Sequence, residues 1–437
     1  MFTPNTIVVI ADDLTGANDT ALQFFVHGAV TEILLDYNKI PIKNLQIDVW
    51  AVSTESRNKA PQIAYQKTKD AYTLFKNKLN VDYFYKKLDS TLRGNVGQEI
   101  LAALEITEND CAIVAPAFIQ EGRVTIGGYQ LLKGIPIERT EAARDPHVPV
   151  FESSVPNILK KQIPNGEELV GLIDFSTVSK GAAPLVLKID ELIKQGKKMI
   201  VVDAISVVDM EQIVLAIKKT KYNILPCGSA GLAQAFAKDW LEEVKPQNIK
   251  KTVPPLPKLI LSGSATELSA LQLKKVQEDE DIENTYFINL KVEDILNGVT
   301  PAIVNRIVSN LEKTNIVAVH VSDINKELED ENSSASGLLI DEGITKDDLA
   351  SRITKYLALL AQKVKQEKEF ALITIGGETS YKCCEALYCD NLQVIDVVLP
   401  AIPLCMSSNA QLVITKSGNL GTPTTLIEIL KYFERHE

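Results

Sequence analysis

The sequence predicts an α/β protein of two domains, each a mostly parallel sheet flanked by helices. Three observations support this prediction. Short apolar runs recur along the chain, each followed by a small or acidic residue and then by a segment with helical periodicity. This alternation is typical of parallel sheets covered by helices. One proline-rich segment interrupts the pattern, and 437 residues are enough for two or three domains.

The proline-rich segment at residues 244–258 reads VKPQNIKKTVPPLPK and contains four prolines. Such a composition favours extended polyproline geometry over helices and strands. We therefore predict a first domain at 1–245, a linker at 246–257 and a second domain at 258–437.

The predicted strands are the apolar runs, because β-branched and aromatic residues favour the pleated sheet. Helices are expected between them, for instance at 183–195, 265–277 and 346–365. In the first domain the predicted strands are 6–11, 47–53, 81–87, 111–115, 169–174, 199–203 and 223–226. In the second domain they are 258–261, 285–290, 315–321, 370–375, 393–399 and 411–415.

The charge balance argues against nucleic acid and membrane partners. The formal net charge is −11, from 46 Lys+Arg against 57 Asp+Glu, and such a chain repels a phosphate backbone. The N-terminus lacks the basic region of a signal peptide. The longest uncharged stretch, 397–415, contains prolines and polar residues that do not suit a membrane span. We expect a cytoplasmic protein whose oligomeric state the sequence leaves open, with a homo-oligomer among the possibilities.

The six cysteines form no C-x-x-C pair and no Cys/His set with zinc spacing, which disfavours structural zinc and a disulfide framework. Cys383, Cys384 and Cys389 lie close together in sequence. We interpret them as small hydrophobic residues on a buried helix face.

Ligands of open α/β sheets bind beyond the carboxyl ends of the strands, so the residues after each strand are the first candidates. The first predicted strand is followed by Asp12, Asp13, Thr15 and Gly16. Such a turn suits a hydroxylated substrate or a hydrated magnesium ion. One aspartate is expected to cap the following helix and the other to function, and the sequence does not distinguish them.

A second cluster follows the aromatic strand that ends near Lys87. It contains Lys87, Asp89, Ser90 and Arg93 within a few residues. Arg93 could hold a carboxylate or phosphate through its bidentate fork, and Lys87 could do so as a point charge. Lys87 and Asp89 could instead form a local ion pair of little energetic value. We favour a substrate site because the cluster follows an apolar strand and precedes a glycine.

Three further residues of the first domain are weaker candidates. Arg123 follows Gly122, which allows a tight turn. His147 is one of four histidines in the chain. A lone histidine is more often structural or exposed than catalytic. Arg57 is either a substrate-binding residue or a solvated loop arginine.

The second domain has turns of glycine and small hydroxyl residues in place of charge. They are 262–266 (SGSAT), 376–380 (GGETS) and 416–421 (KSGNLG). Each is expected to precede a helix, so backbone N–H groups and helix dipoles would converge on phosphates. Glu378 would either hold magnesium or cap its helix. The candidate nucleotide-binding residues are Ser262, Ser264, Gly376, Gly377, Glu378, Thr379, Gly418 and Gly421.

Several common signatures are absent from the sequence, including the Walker loop, G-x-G-x-x-G, the protein-kinase H-R-D set and G-x-S-x-G. The segment 228–231 (GSAG) is too short for any of them and is interpreted as a closely packed helix start. One domain with charged, hydroxyl-binding turns and another with phosphate-binding turns is the arrangement that a two-domain small-molecule kinase needs.

Eight segments, in order along nearly the whole chain, resemble the four-carbon acid sugar kinase family. DDLTGA and KLDSTLRGN are the most specific of these, because neither is a common turn sequence. The segments are ADDLTGAND at 11–19, KKLDSTLRGN at 86–95, PAFIQEGR at 116–123, RDPHVPV at 144–150, PCGSAGLA at 226–233, SGSAT at 262–266, GGETS at 376–380 and KSGNLG at 416–421.

The resemblance implies an N-terminal domain that binds a sugar acid and a C-terminal domain that binds the nucleotide. It also implies ATP-dependent phosphorylation of D-threonate, D-erythronate or a 3-oxo-tetronate at the 4-hydroxyl. By position, the residues expected to contact ATP are Ser262, Gly376 to Thr379 and Gly418. Those expected in the sugar-acid pocket are Asp12, Asp13, Lys87, Asp89, Arg93 and Arg123.

Our hypothesis is a kinase in which the two domains close to exclude water and catalysis comes mainly from positioning and charge neutralisation. Asp12 or Asp13 is the first candidate to accept the hydroxyl proton, and Asp89 the second. Magnesium would bridge the ATP phosphates, and we expect a site more positive than the surface around it. The alternatives are a nicotinamide-dependent hydroxy-acid oxidoreductase, disfavoured by the missing G-x-G-x-x-G, and a non-catalytic sugar-acid-binding protein.

Overall fold

The structure is a computed structural model that describes residues 6–40, 47–145, 147–240, 253–264, 266–282, 285–329 and 333–436. The chain divides into two compact units, Met1–Gln247 and Asn248–Glu437. Residues 246–252 of the predicted linker lie outside the described residues.

The N-terminal unit alternates strands and helices along the chain. Its strands are β1 (Ile7–Ala11), β2 (Thr31–Leu34), β3 (Val49–Ser53), β4 (Tyr83–Lys87), β5 (Cys111–Ala115), β6 (Arg123–Ile126), β7 (Tyr129–Leu132), β8 (Ile135–Pro136), β9 (Val170–Ile173), β10 (Met199–Val202) and β11 (Ile224–Gly228). Its helices are α1 (Leu14–Val26), α2 (Pro61–Lys78), α3 (Val96–Thr107), α4 (Val155–Gln162), α5 (Gly166–Leu169), α6 (Phe175–Val178), α7 (Ala182–Lys194), α8 (Val207–Lys219) and α9 (Ala230–Trp240).

The main sheet of this unit has the strand order β2-β3-β1-β4-β11-β5-β10-β9. Every neighbouring pair in it is parallel. The carboxyl ends of all eight strands therefore share one edge of the sheet. A small antiparallel sheet, β6-β7-β8, is formed by the segment after β5.

The C-terminal unit has a second sheet with helices between its strands. Its strands are β12 (Lys258–Ser262), β13 (Thr285–Asn289), β14 (Ile316–His320), β15 (Ala371–Ile375), β16 (Asn391–Leu399), β17 (Ile402–Ser407) and β18 (Leu412–Lys416). Its helices are α10 (Glu267–Glu278), α11 (Val292–Asn297), α12 (Pro301–Thr314), α13 (Ile324–Glu329), α14 (Ser334–Asp341), α15 (Lys346–Glu367), α16 (Gly377–Ala386) and α17 (Thr425–His436).

The strands of this sheet run in the order β13-β14-β12-β15-β18-β17-β16. The five strands from β13 to β18 in that order are parallel, whereas β17 is antiparallel to both of its neighbours. The predicted fold class, an α/β protein with mostly parallel sheets flanked by helices, is confirmed.

Each predicted strand corresponds to an observed strand, but β2, β6, β7, β8 and β17 were not predicted. Strands β2 and β6 to β8 have four residues or fewer and little apolar length. Pro403 argues against an interior strand, yet it lies in β17 opposite Val397, where the pairing with β16 shifts register. An irregularity of this kind lets a sheet accommodate a residue that has no N–H group.

Glycines allow two close contacts beside the carboxyl edge of the N-terminal sheet. A Cβ atom at Gly228 would lie 2.7 Å from the carbonyl oxygen of Ala115, and one at Gly231 would lie 2.7 Å from that of Ala117. Ser229 Oγ between them donates to the Ala117 carbonyl at 2.6 Å. The interpretation of 228–231 as a closely packed helix start is confirmed.

The structure buries the cysteines but places only two of the neighbouring three on a helix, because α16 ends at Ala386, before Cys389. All six cysteines are free and buried. Cys383 and Cys384 lie on α16, as expected for a buried helix face. Across the described ranges, no helix combines the length and the apolar character needed to cross a membrane.

Candidate active site

In the N-terminal unit, charged residues gather just beyond the carboxyl ends of β1, β3 and β4. Asp12 and Asp13 directly follow β1. Asp13 is the N-cap of α1: its Oδ1 accepts from the backbone N–H of Gly16 at 2.8 Å and its Oδ2 accepts from Thr15 Oγ1 at 2.6 Å. One of the two aspartates was expected to cap the helix, and that residue is Asp13.

Arg57, in the loop after β3, joins three carboxylates. Its Nε and Nη2 donate to the two oxygens of Asp12 at 2.7 and 3.0 Å, and its Nη1 donates to Asp13 Oδ2 at 2.6 Å. Asp89 Oδ1 lies 3.8 Å from Nη2. Arg57 is thus not a solvated loop arginine but the cation that holds the aspartates together. Its predicted role in substrate binding stays a prediction.

Arg93 forms the second half of the same charged cluster. It binds Asp89 through two bonds, Nε to Oδ2 at 2.9 Å and Nη2 to Oδ1 at 3.1 Å, and its Nη1 donates to Asp145 Oδ2 at 3.0 Å. Thr91 Oγ1 also donates to Asp89 Oδ2, at 2.5 Å. Asp145 was not among the predicted residues. It lies 52 positions after Arg93, too far along the chain for sequence spacing to connect them.

These ion pairs keep the aspartates ionised although they are buried. Burial alone would raise the pKa of Asp12, but Arg57 beside it lowers that pKa below its usual value. Burial likewise opposes ionisation of Asp89, but Arg93 and Arg57 hold its pKa well below the usual range. The cluster is therefore a preorganised set of carboxylates paired with arginines, and it does not itself supply the excess positive charge that we expected of the site relative to the surface around it.

Two other cations are not neutralised in this way. Lys87, the last residue of β4, is 5% exposed, and its Nζ forms no hydrogen bond or ion pair within the described residues. Arg123, the first residue of β6, is 8% exposed, and its Nε has no partner there. Its Nη1 lies 3.9 Å from a carboxylate oxygen of Glu121. Buried donors without partners are costly, so both suit an anionic ligand.

A carboxylate that sequence reasoning missed belongs with these cations. Asp19 lies on α1, and its charge interacts with those of Lys87, Arg123 and Glu121. Burial raises the pKa of Asp19 to about 7, although Lys87 favours its ionised form. Asp19 ends the ADDLTGAND segment, but its position inside a helical period gave no signal of function.

The structure places the two remaining candidates of this unit less centrally. Ser90 is partly buried, and its carbonyl accepts from Gln130 Nε2 at 2.7 Å. His147 is exposed, and its backbone N–H donates to Asp145 Oδ1 at 3.0 Å. The low expectation for His147 as an acid or base agrees with this exposed position.

In the C-terminal unit, the candidate nucleotide residues follow β12, β15 and β18, which are neighbours in the sheet. Ser262 ends β12, and its buried Oγ has no hydrogen-bond partner within the described residues. Ser264 Oγ lies 2.9 Å from Ser269 Oγ. A Cβ atom at Gly418 would overlap the Ser264 hydroxyl, so this close approach of two turns requires glycine.

The GGETS turn leads directly into α16. Gly376 has φ 114°, a left-handed conformation that favours glycine, and Gly377 begins the helix. Thr379 is buried so close to Gly263 that a Cβ atom on that glycine would overlap its hydroxyl. Backbone N–H groups at the start of a ten-residue helix suit a phosphate.

Two further candidates complete these turns. Glu378 is partly buried and accepts from Thr354 Oγ1 at 3.5 Å, and its role as a magnesium ligand stays a prediction. Gly421 has φ 88°, and a Cβ atom there would overlap the side chain of Thr425. No cluster of three or more His, Cys, Asp or Glu side chains that could hold a metal ion by itself occurs in the described part of the chain.

The two units match two protein families along most of their lengths. Residues 7–236 match the family described as the sugar-binding N-terminal domain. Residues 259–426 match the family described as the nucleotide-binding C-terminal domain.

Solved structures support the same fold. A protein from Salmonella typhimurium LT2 superposes with a TM-score of 0.76 at 20% identity, covering 97% of this chain and 98% of that one. A Haemophilus influenzae protein gives a TM-score of 0.71 at 24% identity, covering 98% and 100%.

Curated relatives align over nearly the whole chain. A D-erythronate kinase from Heliobacterium modesticaldum is 31% identical over 407 residues, 91% of this chain and 89% of the relative. A D-threonate kinase from Salmonella typhimurium is 28% identical and covers 98% of each chain. A 3-oxo-tetronate kinase from Haemophilus influenzae is 25% identical, covering 94% of this chain and 96% of the relative. The chain therefore belongs to the four-carbon acid sugar kinase family, a family of small-molecule kinases.

Proposed function

We propose that this kinase transfers the γ-phosphoryl group of ATP to the terminal 4-hydroxyl of a four-carbon sugar acid. The observation that carries the proposal is the similarity to a D-erythronate kinase across most of both chains. D-Erythronate is accordingly our first substrate candidate, with D-threonate and the 3-oxo-tetronates as the others. We further propose that the reaction takes place in the cytoplasm.

We assign sugar-acid binding to the N-terminal unit. Lys87 and Arg123 would bind the substrate carboxylate, because both are buried cations with donors that lack partners in the described structure. Asp12 would accept the proton of the attacking hydroxyl. It is preferred to Asp13, which caps α1. It is also preferred to Asp89, because Asp89 accepts from both Arg93 and Thr91, whereas the oxygens of Asp12 accept from Arg57 alone among the described side chains.

We assign ATP to the three glycine turns of the C-terminal unit. The orphaned Ser262 hydroxyl and the backbone N–H groups at the start of α16 both fit a nucleotide phosphate. Glu378 is the one carboxylate in these turns and would provide an oxygen ligand for magnesium, which is otherwise held by phosphates and water. Magnesium, when bound, would neutralise charge that develops on the phosphates.

The reaction assigned here forms one phosphorus–oxygen bond, breaks another and transfers one proton. The substrate oxygen bonds to the γ-phosphorus, the bond from that phosphorus to the β,γ-bridging oxygen breaks, and ADP leaves. The hydroxyl proton passes to Asp12. The work of this chain is mainly to orient the two reactants and to fix the charges around them.

A substrate panel tests the proposal. ATP and each four-carbon acid are incubated with the protein, ADP release is followed by a coupled assay, and the product is identified by mass and phosphorus NMR. We expect a 4-phosphate from at least one acid. The matched 4-deoxy acid, which lacks the accepting hydroxyl, should give no product. Folded protein that releases no ADP above the blank with any of these acids would refute the proposal.

Gly16→Ala should lower kcat/KM for the sugar acid by about tenfold or more, because small misplacements of site residues are costly. The new Cβ atom would lie 2.7 Å from Asp13 Oδ1 and 2.9 Å from Lys87 Nζ, so one or both must move. Gly337→Ala on α14 is the matched control and should leave activity unchanged, because no atom outside the adjoining helix backbone lies within 4 Å of the new Cβ atom. Equal steady-state parameters for the two variants would contradict the assignment of Lys87.

Asp19 should make sugar-acid binding dependent on pH. Its pKa is raised to about 7, so it becomes an anion above that pH and then competes with the substrate carboxylate for Lys87 and Arg123. We expect kcat/KM for the sugar acid to fall several-fold as the pH rises through about 7. Asp19→Asn should remove this fall. A pH profile that is the same in the variant would contradict the prediction.

A further inference from the structure

Lys416, at the end of β18, is one of the most deeply buried lysines of the C-terminal unit, with 1% of its surface exposed. Its Nζ donates to the carbonyl oxygens of Ser417 at 2.8 Å and Leu420 at 3.1 Å. Both acceptors belong to the segment 417–422, here called the β18 turn. A cation is normally placed in a protein interior against an acid, whereas this one is bonded to two backbone carbonyls of a single turn.

Helix α10 and the residue before it also bind carbonyls of the β18 turn. Thr266 Oγ1 and Ser269 Oγ donate to the Gly418 carbonyl at 3.0 and 2.9 Å. Gln272 Nε2 donates to the carbonyls of Leu420 at 3.1 Å and Thr422 at 2.8 Å. The carbonyls of Ser417, Gly418, Leu420 and Thr422 thus all have side-chain donors.

In contrast to these carbonyls, several N–H groups of the same turn are not used in hydrogen bonds among the described residues. Those of Gly418, Asn419 and Gly421 have no hydrogen-bond partner within the described residues. The buried hydroxyl of Ser262, on a strand of the same sheet, also lacks one there. A turn whose carbonyls are fixed and whose N–H groups are unused presents donors to an anion.

We infer that Lys416 is a positioning residue of the nucleotide site, which holds the carbonyls of the β18 turn so that its N–H groups can bind a phosphate. The inference rests on the proposed function, because it takes the anion to be a phosphate of ATP. Burial lowers the pKa of Lys416 to about 7. A neutral amine has two N–H bonds, which match the two carbonyls that Lys416 binds.

Lys416→Met tests the inference, because methionine fills similar space without a donor. We expect KM for ATP to rise about tenfold, equivalent to about 1.4 kcal/mol, with KM for the sugar acid unchanged. A purely structural role would lower the active fraction and the apparent kcat while leaving both KM values unchanged. Lys382→Met is the matched control: this lysine is on α16 and pairs with Glu385 at 2.8 Å. Its KM for ATP should equal that of the wild type.

Gln272→Met provides a second variant if Lys416→Met does not fold, and it should raise KM for ATP in the same direction. Equilibrium binding of ATP without sugar acid is measured in parallel. Wild-type protein that binds ATP, together with variants whose KM and affinity for ATP are unchanged, would overturn the inference alone. Wild-type protein that neither turns over nor binds ATP would overturn the proposed function and this inference with it.

Discussion

Asp12→Asn should lower kcat by about 10²- to 10⁴-fold, the contribution typical of a positioned acid or base. Asparagine keeps the shape of the side chain but cannot accept the hydroxyl proton. Arg57 retains its bond to Asp13 in the variant, so the local structure should persist. Because Lys87 and Arg123 are unchanged, the sugar acid should still bind with measurable affinity.

The control for this prediction is Asp174→Asn. Asp174 also follows a strand of the same parallel sheet, β9, but it is exposed and caps α6. It should leave kcat unchanged, and circular dichroism and sugar-acid titration should show that both variants fold and bind. If Asp12→Asn kept kcat within about threefold of the wild type, Asp12 would not be the proton acceptor. Asp13→Asn and Asp89→Asn would then be the next variants to measure.

The fold was predictable because most of its strands are apolar runs that can be recognised in the sequence. Strand β1, residues 7–11, and strand β10, residues 199–202, are apolar runs that the sheet buries completely, and each is followed by a helical period. Strands β6 to β8 lack this signal because their sheet is small and partly exposed. Their pairing depends on turns and on contacts distant in sequence, which local periodicity does not report.

Sequence reasoning selected residues at strand ends as site candidates, and their functional roles stay predictions. Asp12, Lys87 and Ser262 each lie at the end of a parallel strand, where the rule for open sheets directs attention. Asp145 and Asp19 were missed because one pairs with an arginine far along the chain and the other lies inside a helix. Spacing predicts which residues share an edge of the sheet, but not which cation pairs with which carboxylate.

Lys86 shows how burial determines the largest expected effect on stability. It is completely buried beside the predicted site residue Lys87, and it donates to Glu99 Oε2 at 2.8 Å and to the carbonyls of Ile10 and Lys87. Ser56 Oγ donates to the other oxygen of Glu99 at 2.7 Å. Lys86 Nζ and both carboxylate oxygens of Glu99 therefore have hydrogen-bond partners. Burial raises the pKa of Glu99 even with Lys86 present, so the carboxylate depends strongly on its partner.

Lys86→Met should therefore lower the free energy of unfolding by about 3–5 kcal/mol, because it leaves a buried carboxylate unpaired. Thermal unfolding of the N-terminal unit should shift down by about 6–20 °C. Lys188→Met, which removes an exposed pair with Glu191 on α7, should change it little. The double variant Lys86→Met with Glu99→Leu removes both charges and should recover much of the loss. If the double variant were no more stable than Lys86→Met, the penalty would come from the orphaned carbonyls of Ile10 and Lys87 and not from the unpaired charge.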